Sequence, residues 1–462
     1  VKAFVFEYAC WSEITGIFAM NKKQNNRFPF DPAKSPVFYG WFIVLWGTLG
    51  IIMSMPGQTM GISTFTDHLI DALKFSRNEL STAYLVGTVS SSLLLTRAGN
   101  WYDKIGARWL GVATALLLGT VLLLLSQVDR IAFGLGNLLA LGKYQFYLSF
   151  FIVIFGFFLL RFSGQGVLTM LSRNMMMKWF VRKRGLTNGI SSVFVSLGFA
   201  ASPLVFDYFI EKYSWRWAWI ILALICGFGF SVIVFLFFRD NPEDLGLEPD
   251  GDQNRKQHSG NPRVTVKADK QYTLKEAQRT FVFWILIVAL SMQSLYVTGF
   301  TFNIVSIFKT VQMDKSAALS VFIPTSVISV FISLIGGWLS DHIKMKFLLL
   351  VFLSGQIISM VSLMFLSSGW PYICLIIGNG IVGGLFSVLA TVAWPRFYGR
   401  EHLGAISGFA MSSLVFASAL GPFLFSFSYT KLESYSWAAC VCLIIAIIAF
   451  SASFRADNPQ EK

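Results

Sequence analysis

Arg161 interrupts an otherwise apolar run of the chain spanning about residues 147–171. An ionisable side chain at that depth costs several kcal/mol unless it faces a polar cavity or a partner. Two chemistries are open to it. As a cavity cation it would bind an anionic substrate or tune a proton relay. As a structural donor it would bond the carbonyls of the first helix and Gln165, its neighbour in Leu160-Arg161-x-x-Gly164-Gln165-Gly166.

The acids with informative spacing come as a pair. Gly99-x-x-x-Asp103-Lys104-x-Gly106-x-Arg108 follows the second apolar run, and Gly337-x-x-x-Asp341-His342-x-Lys344-x-Lys346 follows the eighth. A carboxylate at a helix end can accept bonds from the N-terminus of a neighbouring helix and pair with arginine. Gly99, Gly106 and Gly337 permit close approach. The pattern reads as a gate that latches one side closed, or else as two solvated turns. Asp207, four residues after Pro203, is a candidate proton-coupling carboxylate; the alternative is an interfacial pair with Lys212 or a helix cap.

Uncharged polar residues inside the runs complete the candidate set: Gln58 and Thr59 after the Pro56-Gly57 break, Tyr84 and Thr88, then Gln293, Tyr296, Asn303, Ser326, Asn379 and Ser412. In hydrocarbon such side chains face protein or water, so each is either interhelix glue or cavity lining. Together they describe a polar, mostly uncharged cavity. No catalytic constellation accompanies them. His68, His258, His342 and His402 lie at helix ends or in loops, and the five cysteines show neither metal-ligand spacing nor a disulfide framework. No phosphate-binding Gly-x-x-x-x-Gly-Lys-Ser/Thr loop occurs, so ATP is not the direct energy source. Neither an enzyme nor a cofactor is expected.

The elements that position these residues follow from composition. Of 462 residues, 55% are hydrophobic and only 13% charged, against roughly 25% charged in soluble domains. A soluble enzyme, a disordered chain and a fibre are excluded, and a polytopic membrane protein remains. The net charge of +13 reflects the basic loops of one membrane face rather than a nucleic-acid partner.

Six apolar runs lie between residues 38 and 238 and six between 280 and 453, each near the ~20 residues that cross a bilayer. The expected fold is therefore all-α, with twelve transmembrane helices in two pseudo-symmetric six-helix bundles. The expected divisions are an N-terminal segment (1–37), a first bundle (38–238), a solvated linker (239–279), a second bundle (280–455) and a tail (456–462). Basic residues concentrate on one side, which places both termini in the cytoplasm and the chain in the plasma membrane, or the inner membrane of a Gram-negative cell. Residues 1–19, ahead of Met20, read either as native or as an upstream extension. The halves repeat: the Asp103 and Asp341 loops are offset by 238 residues, and Gly185, Gly189 and Pro203 match Gly404, Gly408 and Pro422 at an offset of 219.

With these motifs the chain resembles the major facilitator superfamily of secondary transporters, over about residues 38–455. The Gly99–Arg108 stretch is similar to that family's signature loop, and Leu160–Gly166 to its fourth-helix motif. Lys178-Trp179-Phe180-x-x-x-Arg184-Gly185 with Gly189 resembles the branch of monocarboxylate porters and oxalate–formate antiporters. So do Asp240-Asn241-Pro242-Glu243-Asp244-x-Gly246-Leu247 with Pro249-Asp250-Gly251, and Leu274-Lys275-Glu276-Ala277-x-Arg279-Thr280-x-x-Phe283-Trp284. The resemblance implies a cavity between the halves and a small carboxylate cargo, held by a basic residue in the eighth or eleventh helix. Here Ala317–Ser340 and Leu403–Tyr429 carry no charge, and the second signature loop has Lys344 where glycine is usual.

The expected function is secondary transport of a small organic anion by alternating access, with protons or a counter-anion as coupling partner and a monomer as the working unit. A carrier or efflux pump for a neutral or amphipathic solute is the alternative, and a non-transporting sensor the second.

Overall fold

Inside hydrocarbon every backbone N–H and C=O must be satisfied within its own segment, so apolar runs of this length become helices. The computed structural model describes residues 28–140, 142–251 and 270–461. The segment 1–19, His258 and much of the central linker lie outside the described residues.

Twelve long helices follow one another: α1 (Gly40–Ser63), α2 (Arg77–Ile105), α3 (Ala107–Ser126), α4 (Gly142–Trp179), α5 (Arg184–Lys212), α6 (Trp215–Phe237), α7 (Phe281–Thr310), α8 (Lys315–His342), α9 (Met345–Met364), α10 (Trp370–Tyr398), α11 (Leu403–Leu432) and α12 (Ser436–Ser453). Eleven of them, all but α2, are long and apolar enough to cross a membrane. α2 is the twelfth of the bundle. Its 29 residues open with a capping box, Ser76 and Glu79 bonding each other's backbone N–H.

The helices form two halves, α1–α6 and α7–α12. α2 packs along α11 and α5 along α8, while α4 meets both α10 and α11. α3, α6, α9 and α12 make their main contacts within their own half. Phe28 accepts a bond from Arg108 at the start of α3, and Asp457 one from Lys346 at the start of α9, at the end where the linker leaves α6, so the described ends of the chain and the linker share one face; we call it the linker face.

Two local features shape the interior. α1 is broken at Met55–Gly57, where Pro56 interrupts the helical ladder. α4 changes to a π-helical stretch over Arg161–Leu168, a widening often found at functional sites. The break and the stretch meet: a Cβ on Gly164 would lie 2.8 Å from the Gly57 Cα, so both positions need glycine. One loop proves to be structured, and one sequence reading is revised. The long loop after α3 holds a helix, Val128–Leu138, which Asp129 ties to Arg216 at the start of α6. The fourth apolar run does not end near 171 but continues as helix to Trp179.

Candidate functional site

The α1 break and the α4 π-stretch place Arg161 at the centre of a small polar assembly. Its guanidinium, in a residue only 1% exposed, donates to the Gly57 carbonyl at 3.0 Å and to Thr59 Oγ1 at 3.3 Å. It lies 5.2 Å over the ring of Tyr84, whose hydroxyl is 2.9 Å from Thr59 Oγ1. Arg161, Thr59 and Tyr84 are thus brought together from three helices. Gln58 turns the other way, donating to Ser54 at 3.1 Å and to Thr169 at 3.3 Å, which ties the break to α4. Gln165 is not a partner of Arg161. Its Oε1, Arg161 Nε and Thr88 Oγ1 are all buried without a protein partner. Buried polar atoms are rarely left so, and these three lie on α2 and α4, each in Arg161 itself or about one turn from Tyr84 or Arg161.

The second half disposes its candidates differently. Tyr296 bonds Ser359 of α9 at 2.9 Å, and Ser359 donates to Asn379 of α10 at 2.8 Å. Gln293 accepts from Gln356 of α9 at 3.5 Å. These side chains turn toward α9, which packs on α10 and α12 within its own half. They hold the half together and do not join Arg161. Asn303 bonds Gly299 of its own helix and Ser426 of α11. Ser412 donates to the Ser92 carbonyl of α2 at 2.6 Å, which places it in the contact between halves, while Ser326 is exposed on α8.

At the linker face the two halves interlock twice in the same way. The Asp103 carboxylate accepts from the N–H groups of Gly404 and Ala405, both at 2.8 Å, at the start of α11. The Asp341 carboxylate accepts from Gly185 at 2.9 Å and Leu186 at 3.0 Å at the start of α5. Each anion therefore sits where exposed N–H groups and the helix dipole favour negative charge. Side chains are excluded at the crossings, since a Cβ on Gly99 would strike the Gly404 carbonyl and one on Gly337 the Gly185 carbonyl. Asp341 has a further ion pair, with Arg396 at 3.1 Å. Gly106 and Arg108 serve a neighbouring task. Gly106, at φ +93°, fits against the Asp240 carboxylate, and Arg108 donates to the Phe235 carbonyl of α6 at 2.6 Å. They fasten the signature loop to its own half rather than to the other.

Asp207 is exposed, and Lys212 donates to the Tyr208 hydroxyl at 3.0 Å, so the expected Asp207–Lys212 pair does not form. Two residues escaped the sequence reading. Arg400, between α10 and α11, donates to the Lys178 carbonyl and pairs with Glu243, both at 2.6 Å, which adds a third tie across the linker face. Arg173, half-buried on α4, has no hydrogen bond, ion pair or ring contact among the described residues. Its signal was concealed because the fourth apolar run fades near 171 and Arg173 reads as part of the basic loop.

No curated protein matches the sequence. Among solved structures the chain is similar to the proton:xylose symporter XylE bound to 6-bromo-6-deoxy-D-glucose. That match has a TM-score of 0.61 at 16% identity and covers 92% of this chain and 98% of the other. It is also similar to a bacterial homologue of the iron transporter ferroportin in an outward-facing state, with a TM-score of 0.63 at 12% identity, covering 89% and 98%. The Major Facilitator Superfamily matches over residues 47–422. Twelve helices in two interlocked halves and a sequence match over most of its length make this chain a member of the major facilitator superfamily.

Proposed function

We propose that this transporter carries a small organic anion of the monocarboxylate kind, by rocking its two halves about a site next to Arg161. One observation carries the reading: a guanidinium buried at the break of α1 with no acid within ion-pair distance among the described residues. A buried cation held only by a carbonyl, a hydroxyl and a ring keeps net positive charge, which an anion can neutralise. The Asp103 and Asp341 latches are the gate in this reading. They are made in the conformation described here and break when the linker face opens. With both termini cytoplasmic, that face is the cytoplasmic one, and the working unit in the plasma membrane is a monomer. Protons or a counter-anion couple the movement. Asp207, exposed and without a partner among the described residues, is a protein carboxylate available for protons, and the anion itself is the other carrier.

A neutral solute is the second reading, favoured by the uncharged α8 and α11 interiors and by the proton:xylose symporter among the structural neighbours. Reconstitution into liposomes separates the two. Labelled mono- and dicarboxylates, sugars, nucleosides and amino acids are offered with and without a pH gradient. The expected result is uptake of a carboxylate that Arg161→Ala abolishes. Uptake of neutral solutes alone, insensitive to Arg161→Ala, would overturn the anion reading.

A further inference from the structure

Among the described residues, the buried and half-buried arginines have protein partners, with one exception. Arg161 donates to Gly57, Arg184 to the carbonyls of Met177 and Phe180, Arg239 to those of Leu236 and Phe238, and Arg396 pairs with Asp341. Arg173 has none among the described residues, although it sits within α4, which is buried around it from Leu168 to Phe180. A guanidinium carries five donors, and leaving it partly desolvated and unpaired is costly. Such a cost points to a partner that comes and goes.

The neighbours of α4 at this level fix where Arg173 points. Ser172 and Met176 meet Gly50 and Gly47 of α1, Leu171 lies beside Gly111 of α3, and Asn174 donates to Ser407 of α11 at 2.6 Å. With 100° between successive residues of a helix, Arg173 falls in the sector between α1 and α11, opposite α3. That sector is the seam between the two halves. Arg173 lies twelve residues after Arg161 on the same helix, about 18 Å farther toward the linker face at 1.5 Å per residue.

From this geometry we propose that Arg173 is a second anion-binding residue: the inner of two cationic stations on α4, which receives the carboxylate of the substrate on the linker-face side of the pathway. The inference rests on the anionic-cargo reading above and adds a site to it. Arg161 holds the anion at the centre. Arg173 takes it as the Asp103 and Asp341 latches part and the seam between α1 and α11 opens. A guanidinium suits this because its planar fork bonds a carboxylate through two parallel N–H groups. Both stations being positive, with no acid between them on α4, the path favours small carboxylates over neutral or cationic solutes.

The test is sided. Inverted and right-side-out membrane vesicles containing the full chain are assayed with labelled pyruvate, lactate and oxalate, and with xylose as the neutral control. Arg173→Gln is expected to raise the KM for carboxylate entering from the linker face by about tenfold, the loss of one charge-assisted contact, and to change the KM from the far face much less. Arg173→Lys keeps the charge but loses the fork, and is expected to fall between. It also serves as the measurement if the glutamine variant does not reach the membrane. A KM that is unchanged on both faces, or raised equally on both, overturns the proposal. If the wild type moves carboxylates and depends on Arg161 while Arg173→Gln behaves as wild type, the inner station alone is lost. If the wild type moves only xylose, the anionic reading and the inner station fall together.

Discussion

The two halves share one architecture and one latch but not one interior. The repeat offset of 219 residues that aligns Gly185 with Gly404 sets Gly380 opposite Arg161 and Val392 opposite Arg173. In the first half the centre of α4 carries a cation, a broken partner helix and three buried polar atoms without protein partners. In the second half Gly380 lets α10 close onto Ile328 of α8, Val392 is fully buried, and the polar side chains bond across to α9. The same fold thus carries a buried cation on α4 in one half and glycine at the matching place on α10 in the other. The difference teaches that polar residues in a membrane bundle have to be assigned by what they face.

Exchanging the two treatments breaks the comparison most sharply. Arg161→Ala is expected to lower carboxylate flux by a hundredfold or more, since it removes a cation and also frees the Gly57 carbonyl and the Tyr84 face, about 3 kcal/mol of coupled contacts. The aligned change in the second half, Gly380→Ala, would set a Cβ 2.6 Å from the Cβ of the stiff Ile328 side chain, so α8 and α10 must give way slightly, but it removes no charge and no hydrogen bond. Flux there should fall by less than about tenfold, far less than at Arg161. Liposome uptake measured side by side decides this, and equal losses at the two positions would deny the asymmetry.

The latches offer a finer contrast. Asp103 is held by two backbone N–H groups with the Lys178 ammonium nearby, whereas Asp341 has Arg396 in direct ion-pair contact. Asp341→Asn leaves that guanidinium, only 18% exposed, without its counter-charge. It should therefore open the linker face more than Asp103→Asn does, by an extra ~1–2 kcal/mol. Spin labels at Lys104 of α2 and at its repeat counterpart His342 of α8, one in each half, report the opening as a longer interlabel distance. A larger population of the long distance in Asp103→Asn would reverse the ranking.

How much of this was legible beforehand varied by region. The apolar runs located all twelve helices, because hydrocarbon dictates both length and composition. The runs stop short where helix ends turn amphipathic, which is why Arg173 was counted with the loop. Arg161 was legible because a charge inside an apolar run must find a partner or a polar cavity. Tyr296, Gln293 and Asn379 were not separable from cavity residues, since periodicity gives a helix face and not the neighbour it meets. In the basic cluster from the end of α4 to the start of α5, Lys178 and Arg184 are buried while Arg182 and Lys183 are exposed, a division that charge counting cannot make.

The internal bonding of the second half makes its own prediction. Tyr296→Phe removes the hydroxyl that meets Ser359 but leaves the ring stacked on Phe300, 6.0 Å between centroids. Ser359 keeps Asn379 as a partner. The variant should lose about 1 kcal/mol of stability, read as a melting temperature lower by a few degrees, with an unchanged KM. A raised KM at unchanged stability would move Tyr296 into the site.

The smallest effect belongs to the place where the two signature loops differ. The first loop turns on Gly106 at φ +93°, closed against Asp240. The second has Lys344 at φ −67°, in ordinary backbone space, so no glycine is required there. Its ammonium reaches Glu461 of the tail at 2.9 Å, and Lys346 reaches Asp457 at 2.9 Å. The Glu461 carboxylate holds the Lys344 ammonium above its usual pKa. Because Lys344 is 59% exposed, salt and solvent screen that pair, and it joins the tail to the second half alone. Glu461→Gln should therefore leave flux unchanged and shift the melting temperature by no more than about 1 °C. A change in flux would instead mean that the tail restrains the rocking of the halves, a task the first loop does without, and the asymmetry between the halves would then extend from the interior to the gate.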